Sequence, residues 1–309
     1  MQYGKIAITI RSFDRDGPAM EKLRSHFSVT YVNDTGRRLT EDDLCHVLRG
    51  ADGVIAGTEP FTRRVMDAAE DLKVISRVGV GLDSVDLEAA SFHGIAVTIT
   101  PSAPVQAVAE HTLALLLSVA KQIPVSQARL REGDDTPLPG LLVSGRTAGI
   151  VGMGRIGRRV GELLEALGCR ISYYDPHVDA GQASWARKGS LEDLARGADI
   201  LTLHAPAQAG NLPLIGREII SLCRKGLIIV NTARGSLIDE EVLAHALEEG
   251  IVAGAGLDVF SLEPYHGPLL RFPQVVATPH VASNTVETRR QMEMEAVDHM
   301  IETLARQKP

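Results

Sequence analysis

The 309-residue sequence predicts a two-domain α/β protein built on parallel sheets. Short apolar runs alternate with helical stretches from one end of the chain to the other. That rhythm implies strands joined by crossover helices, with both sheet faces covered. A glycine turn, Gly152-Met153-Gly154-Arg155-Ile156-Gly157, stands between one such run and an amphipathic segment. A proline-bracketed, strongly apolar helix between Pro104 and about Ile123 marks a crossover between two halves. The length itself suits about two domains.

In the first half, β-type runs are expected at Lys5–Ile10, Ser28–Val32, Gly53–Ala56, Lys73–Ser76 and Ala96–Ile99. Helices are expected around Pro18–His26, Thr40–Arg49, Thr62–Ala69 and Val85–Phe92. No complete glycine motif occurs there. Gly79 and Gly81 in RVGVGLD either make a plain loop or let the backbone approach an anion. The helix after Pro104 is apolar over much of its circumference, so it should be buried or lie in a subunit interface. Arg131–Gly140 reads as a polar loop. The second half places strands at Ala148–Val151, Ile171–Tyr174, Asp199–His204, Gly226–Asn231, Ile251–Leu257 and Val275–Ala277. Helices lie between them, and a last one runs from Thr285 to about Leu304. That helix has no sheet of its own and is expected to return to the first domain. The boundaries expected are therefore 1–98 with 285–309 for one domain and 99–284 for the other.

The stretch from Arg146 to Asp175 reads as strand, glycine turn, helix, strand, acid. Gly152 allows the tight turn, Gly154 lets the backbone approach a pyrophosphate, and Gly157 permits close helix–strand packing. The helix N-terminus then faces the phosphate charge. Asp175 lies 175 − 152 = 23 positions after Gly152, near the roughly 20 expected of an acid that takes the adenosine ribose hydroxyls. A carboxylate there repels a 2′-phosphate, so NAD is expected over NADP. The fold class is α/β with two Rossmann-like/flavodoxin-like domains, parallel sheets and a cleft between them.

A net charge of −7 with no basic stripe argues against nucleic acid as a partner. Cys45, Cys169 and Cys223 are far apart and form no CxxC, which argues against a disulfide framework or a zinc site. They read as small core residues in a reducing compartment. The chain opens on a strand-like KIAITI without a signal-peptide pattern, and no apolar run is long enough for a bilayer. The expectation is a cytoplasmic protein with no membrane association.

Ligands of open parallel sheets bind beyond the carboxyl ends of the strands. Three useful side chains follow such ends: Arg234 after LIIVN, Glu263 after VAGAGL and His280 after VVA. An arginine binds a carboxylate bidentately and polarises an adjacent carbonyl. A histidine exchanges protons near neutral pH, and a neighbouring carboxylate raises its pKa. With a nicotinamide cofactor, the set suits reversible oxidation of an alcohol next to a carboxylate. Each residue alone also has an ordinary explanation: a loop salt bridge, a solvated turn acid, a structural imidazole. His111, within the apolar helix, reads as a packed helix residue rather than a catalyst.

GIVGMGRIG, NTARGSLIDEEVLAHAL, GAGLDVFSLEP and TPHVASNTVET resemble the D-isomer-specific 2-hydroxyacid dehydrogenase family, in the family's order. GVIAGTEPFT, VISRVGVGLDSVDL and VAEHTLALLL extend the resemblance into the first half. Within the family, the motifs look like those of short D-3-phosphoglycerate dehydrogenase-like members. The resemblance implies that Arg234 binds the substrate carboxylate and keto oxygen, that His280 is the acid/base, and that Glu263 tunes it. It implies a carboxylate cradle from the backbone of Val78, Gly79 and Val80. Arg155 and Ile156 would meet the pyrophosphate, Asp175 the ribose, and Asp258 the nicotinamide amide. His204, Pro206 and Thr232 would line the cofactor cleft. A homodimer is also implied, and no metal.

Two positions depart from the pattern. Pro104 stands six residues before the Glu of VAE, where the family often carries a substrate-holding Asn. Ala56-Gly57-Thr58-Glu59 carries no cation where phosphoglycerate-type members tend to place an arginine. Arg63, Arg64 and Arg77 are the candidates to compensate. The functional expectation is an NAD-dependent D-2-hydroxyacid dehydrogenase, with 3-phosphoglycerate first among substrates and glyoxylate, hydroxypyruvate or another small 2-oxo acid behind it. The chain ends just after the last helix, so no added regulatory domain is expected. A different class, a non-catalytic NAD-sensing protein like the corepressors that resemble this family, is opposed by the presence of Arg234, Glu263 and His280 together.

Overall fold

Apolar strands that must be buried on both faces need helices on both sides, and each half of this chain meets that need with a parallel sheet. The computed structural model describes residues 4–207, 210 and 212–306. It separates into two compact units, Met1–Pro104 with Thr285–Pro309, and Val105–Asn284.

In the first unit the strands are β1 (Lys5–Ile8), β2 (Ser28–Val32), β3 (Gly53–Ala56), β4 (Val74–Arg77) and β5 (Ala96–Thr98). They lie in the order β2-β1-β3-β4-β5, all parallel, which is the flavodoxin-like order. Period-two geometry divides their side chains. Ile6, Ile8, Ile55 and Val74 join one core cluster, while Ala7, Val54, Ala56 and Ile75 join the other. The helices α1 (Pro18–His26), α2 (Glu41–Val47), α3 (Arg63–Ala68) and α4 (Leu87–Phe92) have clear local causes. Pro18 stands in the first turn of α1, Thr40 and Asp43 form a capping box for α2, and Thr62 and Asp86 cap α3 and α4.

In the second unit the helix α5 (Val105–Ala120) is followed by α6 (Ile123–Arg131). One helix was expected as far as Ile123, but the helix stops at Ala120 and Gln122 adopts a left-handed φ of 52°. Pro124 then fits the first turn of α6, where its missing N–H costs nothing. α5 packs against its own unit, and an added Cβ at Gly254 or Gly256 would meet Val119 at 2.6 Å or Leu115 at 2.8 Å. Those glycines let the helix approach the sheet.

The sheet contains β6 (Thr147–Val151), β7 (Arg170–Tyr174), β8 (Arg187–Lys188), β9 (Ile200–Leu203), β10 (Leu227–Asn231), β11 (Val252–Leu257) and β12 (Val275–Ala277). Its order is β12-β11-β10-β9-β6-β7-β8, all parallel, which extends the doubly wound dinucleotide-binding order by one strand. β8 was not foreseen, because a two-residue charged edge has no apolar run to announce it. Its helices are α7 (Arg155–Ala166), α8 (Leu191–Gly197), α9 (Arg217–Leu222) and α10 (Glu240–Glu248).

α11 (Val286–Arg306) belongs to the first unit. It buries Met292, Ala296, Val297 and Met300 against β3 and β4, and Ser76 Oγ donates to Ala296 O at 2.7 Å. Among the described residues no helix is long and apolar enough to cross a membrane.

Candidate active site

The register of the second sheet places its chemistry. Tyr174 pairs with Val151, Val151 with Leu203, Leu203 with Asn231, Asn231 with Leu257, and Leu257 with Ala277. The next residue on each strand is therefore Asp175, Gly152, His204, Thr232, Asp258 or Thr278. One row at one edge of the sheet brings together positions separated by more than 120 residues. Strands are about 4.7–4.9 Å apart, so side chains in adjacent loops can touch.

At one end of the row the turn after β6 meets the conditions for a dinucleotide. Gly152 has a φ of 93°, and a Cβ there would sit 2.7 Å from the His204 backbone. Gly157 packs on Gly152, where an added Cβ would fall 1.9 Å from its carbonyl oxygen. An added Cβ on Gly154 meets nothing within 4 Å, and as N-cap Gly154 offers no side-chain hydrogen bond to α7. The first-turn N–H groups, Arg155 and Ile156 included, keep their capacity for an anion. Asp175 accepts Met153 N–H and His177 N–H, each at 2.8 Å, so its carboxylate is tied to the glycine turn. The residues present fit a dinucleotide. Beside them, His204 Nε2 bonds Thr202 Oγ1 at 2.9 Å, while its buried Nδ1 has no partner among the described residues. Burial pushes the His204 pKa down to about 3, so the ring is neutral. Pro206 follows on the surface.

At the other end the three strand-end residues are close together. Asn231 shapes the Arg234 loop: its Nδ2 donates to Arg234 O at 2.8 Å and its Oδ1 accepts Ala233 N–H at 3.0 Å. Sequence reading passed over Asn231, although an Asn before a strand-end turn is a known signal. Arg234 Nη1 donates to Ala233 O at 2.7 Å. Gly235 then packs on the next loop so closely that a Cβ would fall 1.9 Å from Phe260 C. In that loop Glu263 Oε1 accepts Phe260 N–H, and Glu263 Oε2 lies 3.0 Å from His280 Nδ1.

This pair shifts both titrations. The Glu263 hydrogen bond raises the His280 pKa; burial and the Arg234 charge oppose, while the Glu263 and Asp258 charges assist. Burial alone would raise the Glu263 carboxyl, but the hydrogen bond and charge of His280 outweigh it and hold it below its ordinary value.

Asp258 is fully buried and already committed. Its Oδ1 accepts Thr278 Oγ1–H at 2.6 Å and Val281 N–H at 2.8 Å, and its Oδ2 accepts Ala282 N–H at 2.9 Å. Oδ2 takes a single donor among the described residues. Burial would raise this carboxyl, yet the bonds from His111, Thr278, Val281 and Ala282 hold it low. His111 is thus more than a packed helix residue: its Nε2 lies 2.9 Å from Thr278 Oγ1. Its neighbour Thr112 donates to Val108 O, so the 2.9 Å contact with Thr232 Oγ1 is donated by Thr232.

In the first unit, Val78 N–H is spent on Ala56 O and Gly79 N–H on Thr100 Oγ1 at 2.9 Å. Of the three amides assigned to a carboxylate, Val80 has no partner among the described residues. Arg77, buried, donates Nε–H to Gly57 O at 2.8 Å and Nη1–H to Gly81 O. Glu59, also buried, accepts Gly57 N–H at 2.7 Å. Arg63 and Arg64 pair with Glu88 and with Glu41 and Asp42.

Residues 113–282 match the family model described as D-isomer specific 2-hydroxyacid dehydrogenase, NAD binding domain. The chain belongs to the D-isomer-specific 2-hydroxyacid dehydrogenase family. Within this family it is 41% identical over 260 residues to a D-3-phosphoglycerate dehydrogenase of Methanocaldococcus jannaschii, covering 82% of this chain and 49% of that protein. The chain spans about half the length of such phosphoglycerate dehydrogenase relatives. It is 38% identical over 297 residues to a glyoxylate reductase of Aeropyrum pernix, covering 92% of this chain and 88% of that one. A solved structure from Thermus thermophilus superposes with a TM-score of 0.90 at 37% identity, covering 99% and 98% of the two chains. The family's nicotinamide cofactor suits the glycine turn and Asp175.

Proposed function

We propose that this chain is an NAD-dependent D-2-hydroxyacid dehydrogenase that interconverts a small 2-hydroxy acid and its 2-oxo acid. The observation that carries the reading is the 3.0 Å His280–Glu263 pair in the loops that follow β11 and β12, with Arg234 in the adjacent loop after β10. The nicotinamide, when bound, supplies or accepts the hydride at C2. The chain's own residues do the rest. Arg234 holds the substrate carboxylate and draws electron density from the keto oxygen. His280, charged through Glu263, gives its proton to that oxygen during reduction and removes it during oxidation. The first turn of α7 takes the pyrophosphate and Asp175 the ribose hydroxyls.

Glu263→Gln tests the pairing. A raised His280 pKa keeps the proton donor charged above the ordinary 6.5, so kcat/KM for reduction is lost as pH rises through the raised value. The variant removes the charge that raises it, and the reductive pH limb should move to lower pH. An unmoved limb in a pH–rate profile would refute the role given to Glu263.

Cofactor choice follows from Asp175. Its fixed carboxylate opposes a 2′-phosphate by like-charge repulsion, and NADH should be used far better than NADPH. Comparing kcat/KM for the two reductants checks this, and a preference for NADPH would sink it.

Among substrates, the likeness to D-3-phosphoglycerate dehydrogenases speaks for 3-phosphoglycerate and phosphohydroxypyruvate. The first unit's strand ends speak for an unphosphorylated acid such as hydroxypyruvate or glyoxylate. Beyond β3 stands the buried carboxylate of Glu59, and the guanidinium of Arg77 is engaged by Gly57 O and Gly81 O. A phosphate needs accessible cations, and Arg77 is buried, so we favour the unphosphorylated acid. In a spectrophotometric NADH-oxidation assay, hydroxypyruvate should be used at least as well as phosphohydroxypyruvate. A strong preference for the phosphorylated acid would reverse this choice.

A further inference from the structure

We propose that His111 on α5 is a positioning residue, which holds His280 in place through Thr278 and Asp258. The inference rests on the reading of His280 as the proton donor. His111 Nε2 lies 2.9 Å from Thr278 Oγ1 and 3.4 Å from Asp258 Oδ1. A threonine hydroxyl has one hydrogen, and Thr278 donates it to Asp258 at 2.6 Å. Thr278 can therefore only accept from His111, so Nε2 carries a hydrogen. Asp258 also gathers the N–H groups of Val281 and Ala282, and its carbonyl accepts His280 N–H at 2.8 Å.

These bonds enclose His280, whose φ of 53° lies in the left-handed region that a non-glycine residue avoids. Such a conformation persists only when its surroundings over-determine it. α5 is a 16-residue helix packed on β10 and β11, so the donor it presents is fixed. Removing that donor leaves a fully buried carboxylate and the Thr278 hydroxyl short of a partner. The segment from Thr278 to Ala282 then relaxes, and His280 loses its registration with Glu263.

The experiment uses the whole chain and the variants His111→Leu, His111→Gln and Thr278→Val. The His280 imidazole titration is followed by NMR and assigned by its absence from the His280→Ala spectrum. The charged groups that face His280, namely Glu263, Asp258 and Arg234, are the same in every variant. In His111→Leu the His280 pKa should fall toward its ordinary value. Turnover of a 2-oxo acid should fall on the order of tenfold to a hundredfold, as expected when a reacting group is displaced by about an ångström. Thr278→Val should do the same, and the two substitutions together should cost little more than either alone. His111→Gln, whose amide N–H can stand in for Nε2–H, should restore both the titration and the turnover.

A His280 titration in His111→Leu that matches the wild type overturns the proposal, whatever turnover does. So does a His111→Gln variant as impaired as His111→Leu. A wild-type chain inactive on every 2-oxo acid would refute the functional reading instead, and the titration would still decide the positioning.

Discussion

His280→Ala should abolish nearly all turnover of a 2-oxo acid while leaving NADH binding intact. The imidazole stands at the end of the row of strand ends, in contact with Glu263 at 3.0 Å, and its carboxylate neighbours Glu263 and Asp258 are both held below their ordinary pKa, so neither supplies the proton in its place. A positioned general acid contributes about 10²–10⁴-fold, and a loss of that size in kcat is the expected result. The glycine turn and Asp175 belong to loops after other strands of the sheet, so the dissociation constant for NADH should stay close to that of the wild type. Single-turnover kinetics and NADH fluorescence measure the two separately. A variant that kept its turnover would remove His280 from the chemistry. A wild-type chain that binds NADH without turnover would favour the non-catalytic, NAD-sensing class.

Arg234→Lys should be nearly as damaging, although the charge is kept. A guanidinium presents a planar fork to a carboxylate and can also reach an adjacent oxygen; an ammonium is a point charge without that geometry. Loss of one aimed donor to a developing oxyanion costs about 10²–10³-fold in kcat. The weaker grip on the carboxylate should raise KM as well. Steady-state kinetics on a 2-oxo acid gives both values. An unchanged KM with reduced kcat would mean that Arg234 acts on the keto oxygen alone, and no change in either would remove it from the site. The Asn231 bonds to Ala233 and Arg234 shape this loop without using the guanidinium, so the loop should survive the substitution.

Sequence alone was enough for much of this. Unbroken apolar runs such as LIIVN announced strands buried on both faces, and GMGRIG with Asp175 announced a dinucleotide turn. Glycines there are legible because only glycine tolerates the backbone approach at Gly152 and Gly157. Less was legible where local signals are weak or misleading. Lys188 and Arg187 form an edge strand with no apolar pattern, and Gln122 breaks a helix that composition would continue. His111 looked like a packed helix residue, because nothing near it in sequence announces Thr278, 167 residues away.

Residue types and spacing, then, marked a glycine turn with its acid, and an arginine, a glutamate and a histidine after strands, which the family resemblance rather than spacing singled out as a set. What only the tertiary structure decided was their neighbourhood. Parallel pairing aligns the last residues of β7, β6, β9, β10, β11 and β12 in one row, and register is set by ladder hydrogen bonds between strands distant in sequence. It also decided which groups are already engaged. Arg77 looked available to a phosphate and is held by two carbonyls, while Asp258 looked like a cofactor ligand and first anchors the loop of His280. Buried polar groups must find partners wherever the fold brings them, and those partners are not written beside them in the chain.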